Sequence, residues 1–325
     1  ERVKKLNFKL RNQSPGICLH SARAYTEAFK EMEGAPIEMR YAKAFSKMVD
    51  SLPAVIDEGE LIVGLSSCGL KKIPVLPVNH ASWLIDELDG LSSRTVNPFE
   101  VTQEQIDEAK ELLTYWLDKT THALTVKLTP PEIVRKVYRT GWGSSGYSHQ
   151  GGCHFTPPFE LILEKGLVWY EDRVKKALAS LDYTNPQHVG KEHFYYALLM
   201  VINAIRNFAK KYAEKASELS SQESDPVRKK ELKEIAEIMN RVPYYSARSF
   251  REAIQSVWFI QMIMHMEGPG PAYTIGRFDQ YMYPYYKADV QEGKLTPEEA
   301  QELIELFYLK ISSNLWLCDA VTAQC

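Results

Sequence analysis

The sequence predicts a helix-rich α/β chain, and three observations carry that expectation. Several segments place apolar residues three or four positions apart, and two short stretches alone have strand character. The length of 325 residues suits one large α/β unit or about two domains of roughly 150 residues each. With 45% hydrophobic and 25% charged residues, the chain can bury a core and is not a disordered tail.

Across residues 21–50, Ala22, Tyr25, Phe29 and Met32 keep helical spacing. Gly34 and Pro36 then break the run before Met39, Ala42 and Phe45 resume it, which predicts two helices. Residues 54–63 are short, β-branched and punctuated by Asp57-Glu58-Gly59, the pattern of an extended, hairpin-like segment. Pro74 and Pro77 argue against a regular central strand in residues 66–98, read as a long surface excursion with one helix near 81–88. Thr102 followed by Gln105 has capping-box spacing, so a helix begins at about Gln103. Residues 141–158 hold five glycines and two prolines and read as a loop.

Phe194, Leu198, Val201, Ile205, Phe208 and Tyr212 trace a long amphipathic helix, followed by a charged connection over residues 217–233. Residues 249–266 form a helix too apolar to expose any face, and a short strand is expected at 273–275. Thr296-Pro297-Glu298-Glu299 opens a final helix carrying Ala300, Leu303, Leu306 and Phe307.

Whole classes of function fall away on composition. Lys and Arg total 39 against 42 Asp and Glu, and without a basic, aromatic-laced stripe a nucleic-acid partner is not expected. The apolar stretch 257–266 is interrupted by Gln261 and His265 and is far short of the roughly 20 residues of a bilayer span, so no membrane association is expected. The opening Glu1-Arg-Val-Lys-Lys has no apolar signal region behind it, and a start at Glu suggests a partial chain. Five scattered cysteines without a Cys-x-x-Cys point to a reducing cytoplasm rather than a disulfide framework or zinc knuckle.

Candidate chemistry concentrates in the glycine-rich loop, where Tyr147, His149, Gln150, Cys153 and His154 lie within eight positions and missing Cβ atoms let a ligand approach the backbone. The same residues could thread a crowded interior instead, their imidazoles satisfying carbonyls. His149/His154 and His188/His193 lack the i, i+4 spacing of a helical zinc motif, and no metal is expected. Neither a dinucleotide fingerprint nor a phosphate loop occurs. Arg277 and Asp279, flanking Phe278, read as a partly buried ion pair anchoring a strand end.

Four separated blocks share one likeness. They are Gly276-Arg-Phe-Asp-Gln-Tyr-Met-Tyr-Pro284, residues 247–260, Arg40-Tyr-Ala-Lys-Ala-Phe45 with Asp57-Glu-Gly-Glu-Leu-Ile-Val-Gly64, and His154-Phe-Thr-Pro157. Together they resemble the pyruvate formate-lyase-like glycyl radical enzymes, in the branch of dehydratases and lyases for glycerol, choline, hydroxyproline or isethionate. The resemblance implies that residues 1–325 are the helix-rich N-terminal portion of a ten-stranded α/β barrel. It also implies an anaerobic, cytoplasmic lyase, dehydratase or decarboxylase of a small-molecule substrate, working as a homodimer without a bound metal. Its cofactor would be a glycyl radical on a downstream glycine, installed by an S-adenosylmethionine-dependent iron–sulfur activase.

The departures are informative. No cysteine here is followed two residues later by Glu, and no glycine follows Gly293, so neither the Gly-Cys-x-Glu loop nor the Arg-Val-x-Gly-Tyr loop occurs and no catalytic residue is assigned. The resemblance makes Tyr147, His149, Gln150 and His154 substrate contacts, with Arg277 and Asp279 as structural anchors. Pro158 stands where the family has an acid, and residues 267–272 lack its Asn and His, which suggests a less polar, aromatic or carboxylated substrate, decarboxylation included. The competing expectation is a non-catalytic helical scaffold derived from such an enzyme.

Overall fold

The computed structural model describes residues 1–133, 156–268, 273–320 and 323. Helix α1 (Arg2–Asn12) leads into strand β1 (Gly16–Cys18), α2 (His20–Glu31) and α3 (Ile37–Ser51). After an irregular stretch come β2 (Lys72–Pro74), α4 (Pro77–Glu87), a 3-10 turn over Leu88–Ser93, α5 (Gln103–Thr114) and α6 (Thr121–Leu128). The second half carries α7 (Phe159–Ala179), α8 (Lys191–Gln222), α9 (Pro226–Arg241), α10 (Phe250–Glu267), α11 (Phe278–Gln291) and α12 (Pro297–Ser313). Among the described residues no helix is long and apolar enough to cross a membrane.

The helices enclose one continuous apolar cluster that runs from Ile17 to Leu317. Helix α10 is its axis: Ala253, Ile254, Val257, Trp258, Phe259 and Met262 are fully buried, and α7, α11 and α12 pack around it. The absence of a polar face in residues 249–266 has this physical cause, since a helix covered all round needs none. Helix α8 lies against both α3 and α9. The charged run 217–233 is therefore not a connection: it is the end of α8 and the start of α9, broken for only a few residues before Asp225 caps the next helix. Its charges coat the outer faces of two packed helices rather than a loop.

Other expectations change on contact with tertiary structure. The proline-bearing segment 66–98 does supply a strand, but one of three residues: β2 ends at Pro74 and pairs in parallel with β1, Gly16 opposite Lys72 and Cys18 opposite Pro74. The helix after it starts earlier than its apolar pattern, with Pro77 at the first turn, where its missing N–H costs nothing. Residues 273–275 form no strand. Their acceptors are taken by side chains instead, the Tyr273 carbonyl by Gln261 Nε2 at 2.8 Å and the Ile275 carbonyl by Tyr281 Oη at 2.7 Å.

The same device explains residues 54–63, read as an extended, hairpin-like segment, where no hairpin forms, and the residues just after them. Gln255 clamps Val63 with two 2.8 Å bonds, donating to its carbonyl and accepting from its N–H. Leu65 N–H donates to Tyr212 Oη at 3.0 Å, and Trp258 Nε1 donates to the Gly64 carbonyl at 3.2 Å. Arg228 reaches the Glu60 carbonyl at 2.8 Å, and the Lys310 ammonium forms a buried ion pair with Glu60. An extended chain buried without strand neighbours needs such partners, because each orphaned backbone group would cost about 1–3 kcal/mol.

Helix α7 is interrupted at Gly166, whose φ of +72° suits glycine. A Cβ there would lie 2.5 Å from the Tyr244 carbonyl oxygen. The break admits residues 243–247: Leu167 and Val168 N–H donate to the Pro243 and Tyr244 carbonyls, and Ala247 N–H donates to the Leu163 carbonyl.

Candidate functional site

The C-terminal end of α10 opens onto a cavity of about 180 Å³. Its walls are β2, through Ile73 and Pro74, the chain after α12, through Asn314 and Trp316, and Tyr273. Gln261 and His265 lie four residues apart on one face of α10, so both side chains reach the same wall. No charged side chain lines the cavity among the described residues.

Two primary amides dominate its chemistry. Gln261 is buried and spends its Nε2 on the Tyr273 carbonyl, while its Oε1 has no partner among the described residues. Asn314 Oδ1 accepts from Ser66 Oγ at 3.2 Å, and its Nδ2 is likewise unpartnered and buried. One acceptor and one donor are thus left without partners on two residues that line the cavity. Buried amide groups ordinarily find partners, which sets this pair apart.

His265 sits edge-on to Tyr273, the ring centroids 5.1 Å apart, with Nε2 at 3.4 Å from Gln261 Nε2. Burial pushes its imidazole down to about 4, so the ring is neutral at physiological pH although it lies at a helix C-terminus, where a cation would be favoured. Gly268 completes this wall, since a Cβ there would lie 1.8 Å from Tyr273 Oη. The tyrosine occupies the space that a side chain would need.

Tyr147, His149, Gln150 and His154 lie outside the described residues. Thr156 and Phe159, which follow them, dock beside the 273–276 segment: a Cβ on Gly276 would lie 3.0 Å from Thr156 Cγ2, and Phe159 stacks on Tyr281 at 5.7 Å. Arg277 and Asp279 differ from their expected form. Both are exposed, they precede and open helix α11 rather than a strand, and no ion pair joins them among the described residues. Arg277 is the N-cap, and Asp279 lies in the first turn, where a carboxylate favours the positive helix end.

Sequence reasoning missed Gln261, His265 and Asn314. A signal for the first two was in view: they interrupt an otherwise apolar run at helical spacing. Away from this cavity, Cys18, His20 and Cys68 form the one group of possible metal donors found among the described residues.

The chain belongs to the pyruvate formate lyase-like family, whose model matches residues 1–325. It is 30% identical over 319 residues to isethionate sulfite-lyase of Oleidesulfovibrio alaskensis, covering 95% of this chain and 38% of that protein. Its fold superposes with a TM-score of 0.96, at 34% identity, on a structure describing 1,2-propanediol dehydration in Roseburia inulinivorans, over 100% of this chain and 41% of that one. A glycyl radical enzyme from Archaeoglobus fulgidus matches with a TM-score of 0.91 and 30% identity, over 98% of this chain and 41% of that one. The chain thus spans about two fifths of the length of the relatives it matches, and the helix-rich fold is that of the corresponding part of glycyl radical enzymes.

Proposed function

We propose that this chain is the N-terminal scaffold and part of the substrate cavity of a glycyl radical lyase, dehydratase or decarboxylase. In such enzymes the radical supplies a thiyl that takes hydrogen from the substrate, weakening the bond beside the new radical centre. Neither the radical-bearing loop nor the thiyl-bearing cysteine loop occurs in residues 1–325. The part left to these residues is to exclude water and hold the substrate. The observation that carries the reading is the cavity at the end of α10, where Gln261 Oε1 and Asn314 Nδ2 are buried and unpaired.

Tyr147, His149, Gln150 and His154 would complete the cavity from the glycine-rich segment. A less polar or carboxylated substrate suits a lining of amides and a neutral imidazole: the Asn314 donor could hold a substrate oxygen while apolar walls take the rest. The test is anaerobic activation of the full-length protein by an S-adenosylmethionine-dependent iron–sulfur activase, followed by a panel of small diols, hydroxysulfonates and aryl carboxylates. A glycyl radical doublet in the electron paramagnetic resonance spectrum with turnover of one substrate supports the reading. A protein that gives no doublet and turns nothing over is a scaffold, and the proposal falls. Gln261→Leu should leave the doublet intact and lower kcat/KM by about tenfold or more, the loss expected when a buried polar contact to substrate is removed.

A further inference from the structure

The parallel pairing of β1 with β2 brings three donor side chains together from two distant places in the sequence. Cys18 closes β1, His20 opens α2, and Cys68 lies in the turn before β2. Their ligand atoms all lie within 4.8 Å of one another. Two sulfurs and an imidazole nitrogen around a tetrahedral Zn²⁺ would stand about 3.5–3.8 Å apart, given Zn–S near 2.3 Å and Zn–N near 2.0 Å. Closure therefore asks for movements of roughly an ångström or less per side chain, well within rotamer adjustment.

Hydrogen bonds tie the three donors to one another and to their neighbours. Cys68 N–H donates to Cys18 Sγ at 3.4 Å. The Cys18 thiol in turn hydrogen-bonds Cys68, with Lys72 and Arg23 close by, while that same bond and burial push the Cys18 thiol well up, so its proton leaves only as a cation binds. Ser51 Oγ at 3.3 Å from His20 Nδ1 fixes the ring, as an outer partner of a ligating histidine does. Arg23 is itself engaged by Glu108, with Nη2 to Oε2 at 2.7 Å. Two thiolates balance a dication, so the neighbouring Arg23 and Lys72 do not repel the occupied site.

We propose that Cys18, His20 and Cys68 form a binding site for a thiophilic divalent cation of the Zn²⁺ type, with water as the fourth ligand. Cys18 is buried, whereas Cys68 and His20 are half-exposed, which leaves that fourth position on the solvent side. The bound cation clamps the turn at residues 66–69 to the end of β1. Ser66 in that turn holds Asn314, and Pro74, opposite Cys18, lines the cavity, so the clamp bears on the cavity wall.

The probe is Co²⁺, whose tetrahedral thiolate complexes absorb strongly in the visible and near ultraviolet. The full-length protein, reduced, stripped of metal by chelator and kept anaerobic, should take up about one equivalent of Co²⁺ with thiolate-to-cobalt charge transfer and tetrahedral ligand-field bands. Zn²⁺ should bleach those bands and raise Tm. Cys68→Ser and His20→Gln should each lose the spectrum, while Cys318→Ser, away from the cluster, keeps it. His20→Gln is the safer variant for folding because its side chain is half-exposed. A wild type without cobalt–thiolate bands overturns the proposal, and so do bands that persist in both Cys68→Ser and His20→Gln.

Discussion

Gln261 shows how one residue links fold and site: it lines the cavity, holds the Tyr273 carbonyl with its nitrogen, and keeps its oxygen buried without a partner among the described residues. Single-atom economics of this kind recur at His80, which is buried and accepts from the Leu76 N–H at 3.1 Å through Nδ1. Its remaining nitrogen, Nε2, therefore carries the proton and has no partner. Burial pushes that imidazole down to about 3. Replacing it by an amide, His80→Gln, should keep an acceptor for Leu76 while abolishing the titration, so urea unfolding of the variant should vary less between pH 7 and pH 4 than that of the wild type. Gly64 is the second residue with an exacting position. Its φ is +124°, and a Cβ would lie 2.9 Å from Met262 Sδ and 3.1 Å from Trp258 Nε1. Gly64→Ala should cost about 2 kcal/mol or more in urea-derived stability, from strained backbone and overpacking together.

Among the elements, those with local signals were legible and those held from a distance were not. The capping spacings at Thr102/Gln105 and Thr296/Glu299 are both realised as reciprocal capping boxes, because every atom they need lies within four residues. By contrast, residues 54–63 look hairpin-like in sequence, since β-branched residues suit any extended backbone, yet the hydrogen bonds of Val63, Gly64 and Leu65 go to Gln255, Trp258 and Tyr212 on helices far along the chain. Helix α1 went unread too: its burial is slight, and its place is set by Arg2 pairing with Glu231 on α9 and Glu302 on α12. Gln255→Ala tests the clamp on the extended segment. It strands the Val63 N–H and carbonyl inside the core, and the loss should be about 2–5 kcal/mol in equilibrium unfolding, with proteolysis near residue 63 enhanced.

On the scale of the whole molecule, the buried imidazoles set an acid limit. His80 and His265 are held at about 3 and about 4, below the usual 6.5 of a free imidazole. A lowered folded-state value means that the unfolded chain takes up protons first. The stability these groups contribute is whole above pH 6.5, and it drains away as pH falls toward 4 and then 3, with a slope of at most about 1.4 kcal/mol per pH unit for each group. Thermal melts across that range should show Tm falling as pH drops below about 6.5; a Tm that rises on acidification in that window would contradict this account. The cavity is also a property of the whole, since its walls come from Ser66 and β2, the end of α10 and the chain after α12, and its lining runs from Ser66 to Leu317.

By itself the sequence determined the helical character of the chain, the buried central helix, the helix starts and the family likeness, because periodicity, capping and ordered motif blocks are written in neighbouring residues. Tertiary structure alone decided that residues 57–65 and 273–275 are held by side chains, that Gln261, His265 and Asn314 share a cavity, and that Cys18, His20 and Cys68 meet. Each of those outcomes depends on which distant surfaces come into contact, and hydrogen-bond partners contributed across a packed core leave no periodic trace in the segments that receive them.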